Sequence, residues 1–166
     1  MINKQANDKG GVISLTYEEL IDENPNVNVM DRRFNSDNIK GLYCNGNIAI
    51  NDKIETTVER MCILAEELGH HYTSSGTIID MQDTSNRKQE HLARYWAYSK
   101  LITFDALIDA FDKGCRNLYE YAEHIGVTEQ FLVDAMEQFK SKYGYYKKIG
   151  DYTFVFYPNY DIIKKI

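Results

Sequence analysis

Apolar residues recur at three- and four-residue steps from Glu55 to Tyr72, where Val58, Met61, Cys62, Ala65, Leu68 and Tyr72 form one stripe. That spacing predicts an amphipathic helix. A second long helix is predicted from Asn86 to Thr103, with Leu92, Ala93, Trp96, Ala97 and Leu101 inward. The stretch between them is polar, with Ser74-Ser75-Gly76 as a breaker and Ile78-Ile79 as an anchor. Upstream, two alternating runs, Ile39/Leu42/Tyr43 and Ile48/Ile50, flank Asn45-Gly46, the pair that a two-residue type I′ turn prefers. They predict a hairpin. Asn26 to Phe34 alternates around Val27 and Val29 and reads as a further strand. Leu15 to Asp22 has helical spacing, with Thr16 and Glu19 in the capping-box relation and Asn24-Pro25-Asn26 as its end.

The last third has a different rhythm. Phe104 to Phe111, Asn117 to His124 and Thr128 to Tyr143 are three helical segments broken at Lys113-Gly114 and Gly126. At the second break Gly126 permits a left-handed turn and Thr128 caps the next helix, as in a helix-turn-helix corner. Lys148 to Tyr157 supplies a strand and a wing-like hairpin around Gly150-Asp151. Strands followed by runs of helices predict an α+β fold: a small antiparallel sheet, a long helix packed on it, and a helical lobe ending in a β-hairpin. The division falls near Thr103, giving lobes 1–103 and 104–166 within one compact chain.

Composition narrows the function classes. The chain has 166 residues, 43% hydrophobic and 27% charged, as an ordinary globular domain does. No apolar run approaches the ~18 residues of a membrane span, and the first residues lack a signal peptide's apolar core. Cys44, Cys62 and Cys115 form no C-x-x-C pair, which excludes a disulfide scaffold and fits a reducing cytoplasm. The net charge is −6, against a surface that grips nucleic acid all round. The charge is uneven: six lysines and two acids from Gln138 onward leave a tail of +4, rich in tyrosine. Lysine interleaved with aromatics marks some nucleic-acid surfaces, and a strand pair with solvated lysines has the same composition. The helix Thr128 to Phe139 carries Glu129, Asp134 and Glu137 and no Lys or Arg up to its end. Direct nucleic-acid contact is therefore not expected of it.

The chemistry concentrates in Glu66-Glu67-Leu68-Gly69-His70-His71 on the striped helix. A metalloprotease helix reads H-E-x-x-H, because ligands at i and i+4 share a face and the glutamate between them serves as base. Here the second ligand position is His70, the base position Glu67, and the first ligand position Glu66. A charged outer face of an acidic helix has the same pattern. Gly69 costs ~1 kcal/mol against alanine within a helix, so it signals either close packing or room for a substrate.

The ordered set of motifs resembles the ImmA/IrrE-type metallopeptidases of phages and other mobile elements, over nearly the whole chain. It runs through Lys40-Gly41-Leu42-Tyr43, Ile54-Glu55-Thr56, Cys62 to His70, Thr73-Ser74-Ser75-Gly76, Asn86 to Glu90, Ile125-Gly126-Val127-Thr128 and Lys142-Tyr143-Gly144. The resemblance implies a zincin-like active-site helix, His70 as a metal ligand and Glu67 as the general base. The family frame E-x-x-A-x-x-[FW]-A falls on Glu90, Ala93, Trp96 and Ala97, which makes Glu90 the third ligand. Glu66 stands where the family usually has histidine. The implied ion is Zn2+, and two carboxylates with one imidazole loosen that preference and admit another divalent ion such as Mn2+. Without a cation, carboxylates gathered there would carry raised pKa values or be held apart. His71 and His91 adjoin the proposed ligands but point about 100° away by helix geometry; they are expected to support the site or face water. His124 is expected to pack or be exposed, and Tyr72 or Tyr95 is a candidate oxyanion donor. The implied function is a cytoplasmic endopeptidase acting as anti-repressor, its partner a repressor with a helix-turn-helix domain. The alternative is a non-catalytic binding protein, anti-repressor or toxin-like partner, on a degenerate protease fold.

Overall fold

The computed structural model describes residues 15–73 and 83–165. The expected break at Ser74-Ser75-Gly76 and the Ile78-Ile79 anchor lie outside the described residues. Helix α1 (Tyr17–Asp22) begins where expected: Thr16 accepts from the Glu19 N–H and the Glu19 carboxylate accepts from the Thr16 N–H at 2.9 Å. Strands β1 (Asn28–Arg32), β2 (Gly41–Cys44) and β3 (Asn47–Asn51) form the first sheet, in the order β1-β3-β2. Asn45 and Gly46, at φ 47° and 78°, make the tight turn of the β2–β3 hairpin.

The first sheet departs from the expected antiparallel pattern in one ladder. β1 runs parallel to β3, pairing Val29 with Ile48 and Asp31 with Ile50, while β2 is antiparallel to β3. The hairpin reverses the chain once, and residues 33–40 carry it across the sheet end, so β3 becomes the centre. Its burial reflects this: Ile48 and Ile50 are fully buried and Ala49 is buried beside them. A central strand covered on both faces loses the alternation that marks a half-exposed one.

Helix α2 (Thr57–Thr73) packs against this sheet and against α3 (Asp83–Leu101). Being covered on two sides, it buries Met61, Cys62, Ile63, Leu64, Ala65, Leu68 and Gly69, a broader face than one stripe. The ends of the expected stripe are the exception, with Val58 40% and Tyr72 53% exposed. Tyr72 instead stacks on Trp96 at 4.9 Å and donates to Asn24 Oδ1 at 2.6 Å. Leu92, expected inward, is 44% exposed, because Ala93 and Ala97 are the residues turned to α2.

The chain continues through α4 (Phe104–Asp112), α5 (Leu118–Ile125) and α6 (Glu129–Tyr143). Gly126 closes α5 at φ 84°, and Thr128 accepts from the Phe131 N–H to open α6, as the corner motif predicts. Strands β4 (Tyr146–Ile149) and β5 (Tyr152–Val155) form the expected hairpin, and β6 (Asp161–Lys164) adds a third antiparallel strand. The third strand follows Pro158 and carries only Ile162 as a buried anchor, too short a signal to read as a strand alone. Tyr98 against Phe131 and the Cys62 Sγ–Thr128 N–H contact at 3.5 Å join the two parts of one α+β chain. Among the described residues no helix is long and apolar enough to cross a membrane.

Candidate active site

Gly69 brings α2 and α3 together. A Cβ at this position would lie 2.2 Å from the Ala93 carbonyl oxygen, so only glycine allows the approach. Of the two readings of this residue, the structure selects packing. The contact adjoins His70 on one helix and lies three residues from Glu90 on the other, and it sets their side chains face to face. His70 Nε2 is 3.3 Å from Glu90 Oε2. The other carboxylate oxygen, Oε1, accepts from Arg94 Nε at 2.7 Å.

A glycine also lets the first sheet approach. At Gly41 a Cβ would meet Ile63 Cγ2 at 2.6 Å and Glu67 Oε1 at 2.8 Å. The Asn51 N–H donates to the Lys40 carbonyl, which fixes the alternation of the β2–β3 ladder. Tyr43 then turns its N–H away from β3 and toward the Glu67 carboxylate, whose ionised form it favours. The Tyr43 hydroxyl meets His71 Nδ1 at 3.0 Å and accepts from the Gly46 N–H at 3.2 Å. His71 therefore ties α2 to the hairpin and does not join His70. His91 is exposed on α3, beside a cavity it shares with Arg94 and Tyr98. His124 pairs with Asp109 at 2.7 Å, between α5 and α4.

Electrostatics mark the same place. Burial pushes Glu67 up to about 7, against the Tyr43 N–H that favours its ionised form, with Glu66 and Glu90 adding to the rise. Burial also raises Glu66; Arg94 opposes this, while Glu90 and Asp134 reinforce it. Three carboxylates thus share one electrostatic neighbourhood, with burial the larger cause of the rise. The buried Cys62 thiol is pushed up to about 11 by desolvation, which leaves it unreactive.

Of the proposed ligands, the structure joins His70 and Glu90. Glu66, one helical turn before His70, stands outside their contact. Among the described residues no three His, Cys, Asp or Glu groups are close enough to hold a metal ion. The pair itself fits one: two ligands about 2.0–2.1 Å from a tetrahedral ion lie about 3.3–3.4 Å apart, the spacing His70 and Glu90 already have. The tyrosines proposed for the oxyanion are engaged elsewhere, Tyr72 with Asn24 and Tyr95 with Tyr143 and Lys142. Arg94 was not singled out by motif reading. Its signal is the i, i+4 spacing from Glu90, common to many surface helix pairs. The Tyr43 amide had no signal, since the register of β2 against α2 is a tertiary property.

No curated protein and no solved structure matches the chain. Residues 22–137 match the Peptidase M78 family, described as the IrrE N-terminal-like domain, a span from α1 into α6 that takes in His70, Glu67 and Glu90. With most of its length covered, the chain belongs to this metallopeptidase family.

Proposed function

We propose that the protein is a metal-dependent, site-specific endopeptidase that inactivates a helix-turn-helix repressor of a phage or mobile element. The observation that carries the reading is the His70–Glu90 pair, held at 3.3 Å across two helices beside a glutamate at about 7. His70 and Glu90 would hold Zn2+ or Mn2+, with Glu66 completing the set from the same face of α2. The ion would supply Lewis acidity at the scissile carbonyl and at the attacking water. Glu67 would take the proton of that water and return it to the leaving amine, and a base poised near neutrality suits both transfers. In the free chain the Tyr43 N–H favours the ionised form of the Glu67 carboxylate. Arg94, on Glu90 Oε1, leaves Oε2 turned toward His70.

Co-expression with a helix-turn-helix repressor found in a neighbouring gene tests the reading. Specific cleavage should appear with wild-type chain, vanish with Glu67→Gln and His70→Ala, and require a divalent ion. One observation favours the non-catalytic alternative: Glu66 stands outside the contact of the other two ligands. In that case the chain would bind the repressor without cutting it, and the Glu67→Gln variant would relieve repression as well as the wild type.

A further inference from the structure

Two cavities flank α6, one of about 380 Å3 toward α2 and one of about 340 Å3 toward α3. Asp134 lines both, so they form one groove with this carboxylate at the junction. Toward α2 the wall combines Ile63 and Phe131 with Glu59, Glu66 and Gln130. Toward α3 it includes Tyr98, Glu137 and Gln138.

The cations at the groove are already matched. Lys40 pairs with Glu59 at 2.6 Å and Arg94 with Glu90 at 2.7 Å. Asp134 accepts only from the neutral Gln130 amide, at 2.8 Å, and has no ion pair among the described residues. One further group wants a partner. Among the described residues Gln138 Oε1 is buried without a hydrogen bond, a deficit native structures seldom leave. Tyr98, 2% exposed, lines the cavity toward α3. Burial raises the pKa of its hydroxyl, and the negative charges of Glu66 and Asp134 raise it further. The groove thus offers an unpaired acceptor and uncompensated negative charge beside a short apolar wall. A guanidinium or ammonium on an aliphatic stem meets all three demands: donors, positive charge and methylenes.

We propose that this groove is a subsite for a basic side chain, arginine or lysine, of the polypeptide substrate, with Asp134 meeting its charge. This rests on the peptidase reading and adds the substrate class to it. Glu66 connects the two, since it lines the groove and lies one turn from His70.

The test uses Glu67→Gln chain, which cannot turn over, and three peptides identical except for a central Arg, Gln or Glu. Fluorescence anisotropy should show the Arg peptide binding at least 10-fold more tightly than the Gln peptide, and the Glu peptide weakest. Adding Asp134→Asn should remove most of that preference, and Asp134→Lys should invert it. Should the Asp134 variants fail to fold by circular dichroism, Tyr98→Phe, which keeps the ring, should weaken the Arg peptide alone. Equal binding of the three peptides, or a preference untouched by Asp134→Asn, overturns the subsite. Cleavage by metal-loaded wild type separates the two readings. Arg-selective binding without cleavage removes the peptidase and keeps the subsite; cleavage with no basic preference does the reverse.

Discussion

His70 and His124 each face a carboxylate across a seam between two helices, and the two pairs are opposites in their surroundings. His124 meets Asp109 Oδ2 at 2.7 Å, and Lys113 reaches the same oxygen at 2.9 Å. Hydrogen bonds from Lys113 and then His124 hold the Asp109 carboxyl below its ordinary range. That pair has its charge satisfied, and it ties α4 to α5. His70 meets Glu90 at 3.3 Å among further carboxylates, and burial raises both Glu66 and Glu67. A histidine–carboxylate contact is thus no mark of a site by itself. The two differ in the surplus of ionisable groups kept against their own preference, which clusters at functional sites.

The largest effects should come from breaking the first pair's chemistry. Glu67→Gln is expected to lower turnover of the repressor by roughly 10²–10⁴-fold while metal still raises the melting temperature. His70→Ala should remove both the turnover and the metal-dependent rise, whereas His124→Ala should leave both intact. Calorimetric melts with and without Zn2+, beside a cleavage assay, separate these outcomes. Gly69→Ala comes next. The added methyl meets backbone at Ala93, so α2 and α3 must part, at a cost of about 1–3 kcal/mol or more. The same change should spare the His124–Asp109 seam, which two-dimensional NMR of the histidine rings would show.

A smaller effect concerns pH. Glu67 moves from an ordinary 4.5 to about 7 on folding, so the folded chain binds that proton more tightly than the unfolded one. Stability from this group is present below about 4.5 and lost as pH rises through about 7. Metal-free wild type should therefore lose melting temperature across that window relative to Glu67→Gln. The smallest effect is the mirror image. Asp109 is lowered, so its stabilisation is present above 3.8 and lost as pH falls through its folded value. Asp109→Asn should flatten the acid end of the melting curve and leave the neutral end almost unchanged.

Sequence reached the parts of this molecule that local rules govern. The Thr16–Glu19 box, the Asn45-Gly46 turn, the Gly126–Thr128 corner and the long helices each depend on residues a few positions apart. So does the i, i+4 relation of His70 and Glu66. The parallel β1–β3 ladder was missed because nothing near Val29 says which edge of the hairpin it will meet. The inward face of α3 was misassigned at Leu92, since the small residues Ala93 and Ala97, not the large one, decide where two helices touch. In the site, motif spacing named Glu66, Glu67 and His70, and the family resemblance added Glu90. The contact of His70 with Glu90 needed the Gly69–Ala93 approach, and the hold of Tyr43 on Glu67 needed the register of the sheet. Arg94 lay in plain view, but its pairing gained meaning only once His70 was found on the other side of Glu90.

The outward-turned amide of Tyr43 has a consequence for how a substrate arrives. β2 is an edge strand, and an extended peptide can add to such an edge by taking its free donors. Here the Tyr43 donor faces Glu67 and favours its ionised form. A peptide that pairs with β2 would take that donor from the carboxylate, and a carboxylate that loses a donor becomes a stronger base. If Glu67 is the base of the proposed reaction, docking of the chain would also arm it.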